Sequence, residues 1–294
     1  KDDKVMINDV MRFLDNVLTD FIERAPEQFD DAKYSAEKER SVGLGVMGFH
    51  SYLQKHSIPL ESVMSKAWNK KIFKHIQEHV DQASKDLADE RGACPDAADY
   101  GYNERFSNKT AIAPTASISI ICGGASPGVE PVAANSYTHK TLSGSFNVRN
   151  RYLVELLEKH GKNTDDVWSG ITTNQGSVSH LDFLTDLEKD VFKTAFELDQ
   201  KWIIELSGDR TPYISQAQSI NLFVPADIHK RELHKIHFDA WKKGLKSLYY
   251  CRSKSIQRAE NVNDTKATDV NANVYKSKPQ TTEQPEYEEC LSCQ

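Results

Sequence analysis

The chain has 294 residues, 38% hydrophobic side chains and a formal net charge of −6. That length holds one large domain or two ordinary ones, the modest acidity argues against general nucleic-acid binding, and no apolar run approaches the roughly 18–20 residues that span a bilayer. Five cysteines, one close pair and three scattered, make no secreted disulfide framework; with no signal peptide legible, they point to a reducing, cytosolic compartment.

In chain order, residues 3–25 carry apolar side chains at helical spacing, among them Val10, Met11, Leu14, Val17, Leu18 and Phe21, and Pro26 ends the helix. In "SVGLGVMGFHSYLQKHS" the glycines Gly43, Gly45 and Gly48 alternate with apolar residues, which predicts a tight strand or turn passing into a short helix. Residues 64–91 read as a second amphipathic helix, with Ile72, Ile76, Val80, Ala83 and Leu87 on one face and Gly92 at its stop. The run "TAIAPTASISIICGGASPGVEP" is small, apolar and uncharged before Glu130, the signature of a buried strand leading into a glycine-rich loop. Residues 185–206 predict a helix, "TPYISQAQSINLFV" a strand, 226–243 a helix and "GLKSLYY" a short strand. Helices alternating with short buried strands indicate an α/β architecture with parallel strand pairs.

From about Lys254 the periodicity is lost, which predicts a partial α/β domain over 1–253 and a disordered tail over 254–294. The 37 steps from Ser253 to Cys290 give a flexible chain a typical reach of about 33 Å. Hydrophobic content is low even allowing for this tail, so part of the core is expected from another chain. The first residue is Lys1 rather than methionine, which fits a fragment, a processed product or a trimmed chain alike.

Four features bear on chemistry. Cys290 and Cys293, in the terminal "CLSCQ", can close a small-loop disulfide and exchange with others. Zinc binding and an incidental pair are the alternatives, although a structural zinc site usually takes four ligands and no second pair is near. In "PTASISIICGGASPG" the hydroxyls of Thr115, Ser117 and Ser119 and the glycines Gly123, Gly124 and Gly128 suit either phosphate contact through backbone N–H groups or plain small-residue packing. No Gly-Lys-Ser/Thr follows, so this is not a P-loop. Tyr249 and Tyr250 would face opposite ways on a regular strand and read as packing or as a redox pair. His229, His234 and His237 read as surface histidines, and Cys94 and Cys122 as buried small residues.

Taken in order, "GLGVMGFHSYL", "GACP", "APTASISIICGGASPGVEP", "SINLFV", "GLKSLYYCRSKS" and the terminal "CLSC" resemble the C-terminal portion of the large, catalytic subunit of class I ribonucleoside-diphosphate reductase, in a form similar to phage and bacterial enzymes. The resemblance covers nearly the whole chain and is weakest over 135–185. It implies the latter part of a ten-stranded α/β barrel, including its last strand. It implies that Pro114, Thr115, Ala116, Ser117 and Ile118 match the loop that binds the substrate's phosphates. Tyr249 and Tyr250 then match the tyrosine pair that relays a radical. Cys290 and Cys293 match the tail dithiol that re-reduces the active site and is recharged by thioredoxin or glutaredoxin.

The family's radical-bearing cysteine lies between a catalytic asparagine and glutamate, and no Asn-x-Cys-x-Glu stretch occurs in this sequence. The expectation is therefore that the hydrogen-abstracting thiol and the allosteric ATP and deoxynucleotide sites belong to an N-terminal portion of the large subunit. The implied partners are that portion, a radical-generating small subunit holding the metal–tyrosyl cofactor, thioredoxin or glutaredoxin, and ribonucleoside diphosphates. This chain itself is expected to hold no cofactor. The implied setting is the cytoplasm of a bacterial or phage-infected host. The alternative is a non-enzymatic α/β assembly module whose Cys-x-x-Cys tail binds zinc or a partner.

Overall fold

The computed structural model describes residues 2–141 and 144–253, without the side chains of 2–3 and 138–146. The predicted tail over 254–294, with Cys290 and Cys293, lies outside the described residues.

Helix α1 (Asp2–Arg24) follows the apolar periodicity and stops before Pro26. A 3-10 turn and α2 (Asp30–Glu39) lead to the glycine-rich stretch, and α3 (Phe49–Lys55) starts after Gly48. Helix α4 (Val63–Arg91) begins where the Ser62 hydroxyl accepts the Ser65 N–H at 3.1 Å and ends at Gly92, whose φ of +86° suits a residue without a Cβ. Then come α5 (Pro95–Asp99), α6 (Ala116–Ile121), the antiparallel hairpin β1 (Ser136–Thr141) and β2 (Gly144–Arg149), α7 (Arg151–Lys159), α8 (Asp165–Thr173), α9 (Asp186–Val191), α10 (Gln200–Arg210), β3 (Leu222–Val224), α11 (Lys230–Lys242) and β4 (Cys251–Ser253).

The predicted parallel pairing is present, in a broken form. Leu44 bridges Thr110, Ile112 bridges Gln218, and β3 pairs β4, all in parallel. These contacts join four chain segments into one arc in the order 44, 110–112, 218–224, 251–253. The arc is an open fragment of a barrel wall, and the described residues contain no closed barrel. Its ladders slip by single residues. Gln216 N–H bonds to Thr110 O, but Ile112 N–H bonds to Ala217 O, where an unbroken parallel ladder would use Gln216 O. Such bulges bend a sheet and leave isolated bridges where the sequence predicts continuous strands. The strand expected ahead of the glycine-rich loop is reduced to bridges at Thr110 and Ile112; Thr115 turns the chain at φ +53°, and "ASISII" forms α6.

The single helix expected over 185–206 is two helices. Thr185 and Glu188 close a capping box on α9, and Asp199 starts α10 by accepting the Lys201 N–H at 2.9 Å. Between them Glu197 binds the N–H and hydroxyl of Thr194, each at 2.8 Å. Two helix-start signals within one apolar run divide it. The expectation of buried cysteines holds for Cys94, whereas Cys122 is exposed at the glycine turn after α6.

The main core packs α3, α4 and α10 against the arc through Phe49, Leu53, Phe73, Ile112, Ile203 and Leu206. A second core of Leu153, Leu157, Trp168 and Ile171 supports α7 and α8. On the flank, the fully buried Asp15 of α1 is bound by Arg40 at 2.7 Å, Arg91 at 2.7 Å and Arg105 at 2.8 Å. Burial pushes the Asp15 carboxyl up, but hydrogen bonds from the three arginines outweigh it and hold it below the usual carboxylate range. The outer face of α1 leaves Met6 and Phe13 59% and 64% exposed, in keeping with a core that another segment completes.

Candidate functional site

The chain turns at Thr115, whose Oγ1 accepts the Gly128 N–H at 2.7 Å. This bond folds the glycine-rich loop back on residues 114–118. Gly128 is obligatory there: it sits at φ +48°, and a Cβ would come within 2.9 Å of Ala113 O. The first-turn amides of Ala116, Ser117 and Ile118 precede the first possible acceptor inside their own helix. Of the three hydroxyls expected to serve a phosphate, only that of Ser117 is free of these structural duties. Thr115 braces the loop, and Ser119 is buried and donates to Ala116 O at 2.9 Å.

Beside this loop is a cavity of about 280 Å³. All five residues from Pro114 to Ile118 line it, and Tyr249 lines it from the far end of the chain. The structure thus brings the predicted loop and one predicted tyrosine to a single space. Tyr250 does not line that space, but its ring centroid is 4.2 Å from that of Tyr249, with the planes at 55°. The opposite-facing arrangement expected of a regular strand is not observed, because both residues precede β4 in irregular backbone. Tyr249 and Tyr250 are 41% and 45% exposed, open to a partner.

Three further polar residues line the cavity that sequence reasoning did not select: Glu130, Asn221 and Arg252. Glu130 is 7% exposed, and its Oε1 has no hydrogen-bond partner. Burial drives its carboxyl up to about 6, against the opposing pull of the Asn221 amides and Arg252. Asn221 is buried, and its Oδ1 accepts the Tyr250 N–H at 3.0 Å. The Arg252 guanidinium stands 5.7 Å from the Tyr250 ring centre. The available signals were slight: Glu130 is the first charge after the uncharged run, and Asn221 interrupts the apolar "SINLFV".

The histidines lie away from this site. His229 caps α11 by accepting the Arg231 N–H, His234 stacks on Phe238, and all three of His229, His234 and His237 are exposed. Among the described residues no group of three or more His, Cys, Asp or Glu side chains could hold a metal ion, and no helix is long and apolar enough to cross a membrane.

The family described as "Ribonucleotide reductase, barrel domain" matches residues 2–104 and 96–251. The chain is 50% identical over 266 residues to the ribonucleoside-diphosphate reductase large subunit of Invertebrate iridescent virus 6, covering 89% of this chain and 28% of that protein. It is 45% identical over 263 residues to the large subunit of Invertebrate iridescent virus 3, covering 88% and 41%. Among solved structures, the alpha subunit of Actinobacillus ureae class Id ribonucleotide reductase superposes with a TM-score of 0.79 at 38% identity, covering 86% of this chain and 47% of that one. The chain therefore spans less than half the length of each of these three proteins. With the family match running over nearly all the described residues, this chain belongs to the ribonucleotide reductase barrel-domain family.

Proposed function

We propose that this chain works as the C-terminal part of a ribonucleoside-diphosphate reductase large subunit, reducing ribonucleoside diphosphates to deoxyribonucleoside diphosphates for DNA synthesis. The observation that carries the reading is the shared cavity: Pro114–Ile118 and Tyr249, distant in sequence, line one space. In this reading the amides of Ala116–Ile118 and the Ser117 hydroxyl hold the diphosphate, since close-packed backbone N–H groups receive anionic oxygens without a basic side chain.

Tyr250, the less enclosed of the pair, gives up an electron and a proton toward the radical-bearing small subunit. Tyr249 returns both to Tyr250, and a cysteine thiol in the remainder of the large subunit returns both to Tyr249. That thiol then takes hydrogen from the substrate ribose. A tilted ring contact at 4.2 Å suits transfer between the two phenols. Cys290 and Cys293 serve as the dithiol that re-reduces the active site and is recharged by thioredoxin or glutaredoxin. A tethered dithiol reaches effective concentrations in the millimolar range when its linker spans the gap.

The test is reconstitution. This chain is combined with the remaining portion of the large subunit and the small subunit, and deoxyribonucleotide formation is assayed. Turnover that needs all the parts, and that is lost in Tyr249→Phe or Tyr250→Phe while substrate still binds, supports the reading. Product formed by the 294-residue chain unaided, or turnover retained in either tyrosine variant, refutes it. Replacing both tail cysteines with serine should block thioredoxin-driven turnover, and a small chemical dithiol should partly restore it.

A further inference from the structure

The backbone beside the tyrosine pair carries one residue too many. Tyr249 N–H bonds to Ile220 O at 2.8 Å, and Leu222 N–H bonds to Tyr250 O at 2.9 Å. In an unbroken parallel ladder the first bond dictates that Leu222 take the carbonyl of Tyr249. The tyrosine segment is therefore one residue longer than the segment it faces, and the bulge falls on Tyr249–Tyr250, opposite Asn221. From there the register recovers, with Leu222 paired to Cys251.

A bulge leaves a backbone group without its ladder partner, and a buried or half-buried N–H in that state is costly. Here the extra amide is that of Tyr250, and the Asn221 Oδ1 accepts it at 3.0 Å. The bulge also alters where the rings go. Successive side chains on a regular strand point to opposite faces, yet these two rings lie 4.2 Å apart. Asn221 is 2% exposed and lines the cavity with Glu130. One side chain therefore joins the cavity wall to the backbone of the tyrosine pair.

We propose that Asn221 is the positioning residue of the radical relay: by capping the Tyr250 amide it holds the bulge that sets the rings of Tyr249 and Tyr250 in contact at the rim of the substrate cavity. The proposal rests on the relay reading given above for what the ring contact is used for; the contact itself stands on the ring and hydrogen-bond geometry. Bulges also bend barrel walls, as at Gln216–Ala217, so a role in curvature alone is the competing account.

The test uses the reconstituted enzyme with Asn221→Ala, Asn221→Ser and the double variant Asn221→Asp with Glu130→Gln. Serine keeps a polar group but is too short to reach the Tyr250 amide. The double variant restores an acceptor for that amide and removes the Glu130 carboxyl that a second carboxylate would otherwise meet in the same cavity wall. We expect Ala and Ser to lower kcat by about 10–100-fold, the order that misplacing reacting groups by about 1 Å costs. The KM for the diphosphate should stay within about twofold, since the loop at 114–118 is untouched. The double variant should recover most of the lost turnover, and crystal structures of the single variants should show the rings parted.

Unchanged kcat in Ala and Ser, rings still in contact at the same distance, or no recovery in the double variant would each overturn the proposal. Should Tyr249→Phe keep its turnover, the relay reading falls, and the ring separation alone then decides whether Asn221 positions the pair.

Discussion

The flank around Asp15 and the rim around Glu130 both bury a carboxylate, and they treat it in opposite ways. Asp15 is fully buried and meets three arginines, so its carboxylate is well paired and lies below its usual range. Glu130 is almost as buried, but its Oε1 has no partner, and burial lifts it to about 6. The first arrangement pins α1 to α4 and to the Arg40 and Arg105 segments. The second stands in a cavity wall beside irregular backbone, half-exposed tyrosines and a loop that presents its amides. A matched buried charge marks scaffold, and an unmatched one beside a cavity marks a working surface.

The comparison can be broken most sharply at the tyrosines. In the reconstituted enzyme Tyr249→Phe should abolish turnover while leaving diphosphate affinity and thermal stability near wild type. A large loss of stability instead would make the rim scaffold too. On the flank the expectation is reversed. Asp15→Ala leaves Arg40 and Arg105 without their anion, and Arg91 with only Glu90, and should cost about 3–5 kcal/mol, measured by urea denaturation. A cost below 1 kcal/mol would mean that Asp15 is not what pins the flank.

The pH dependence sharpens the contrast. Glu130 holds its proton more tightly when folded, so its contribution favours folding below the ordinary value of 4.5 and is lost as pH rises through about 6. Glu130→Gln should remove that slope and stabilise the chain by about 2 kcal/mol above pH 7, the equivalent of the shift. An unaltered profile would show that the carboxyl is not held up by burial. Asp15 runs the other way: its depressed carboxyl contributes stability above its ordinary value of 3.8 that is lost only as pH falls below it.

The smallest effect at neutral pH concerns His50, which is buried, depressed by burial to about 3, and accepts the Val132 N–H at Nδ1. The unfolded chain protonates this histidine near 6.5 and the folded chain does not, so stability is lost as pH falls from 6.5 toward 3. His50→Gln, which keeps an acceptor for Val132, should flatten that acid limb in a urea titration across pH.

Much of this was legible in the residues. The 3.6-residue periodicity of α1 and α4, the Pro26 stop, the Gly92 end and the helix over 230–242 are local signals, and each helix formed within a few residues of its predicted bounds. The ordered motifs carry the family, and "PTASI" and Tyr249 border one cavity, with the Tyr250 ring beside Tyr249. The helix expected over 185–206 divides because the segment holds two start signals, Thr185 and Asp199. Glu130 and Asn221 were passed over because a single polar residue in an apolar stretch does not reveal what it will face.

The sequence by itself determined the helices, the turn points and the family, because periodicity, capping and glycine placement act over a few neighbouring residues. Only the tertiary structure decided that residues 114–118, Glu130, Asn221 and Tyr249 share a wall, and that the last pairing slips by one residue at the tyrosines. Those outcomes depend on hydrogen bonds between segments distant in the chain. A one-residue slip in such a ladder alters side-chain direction without changing any local pattern.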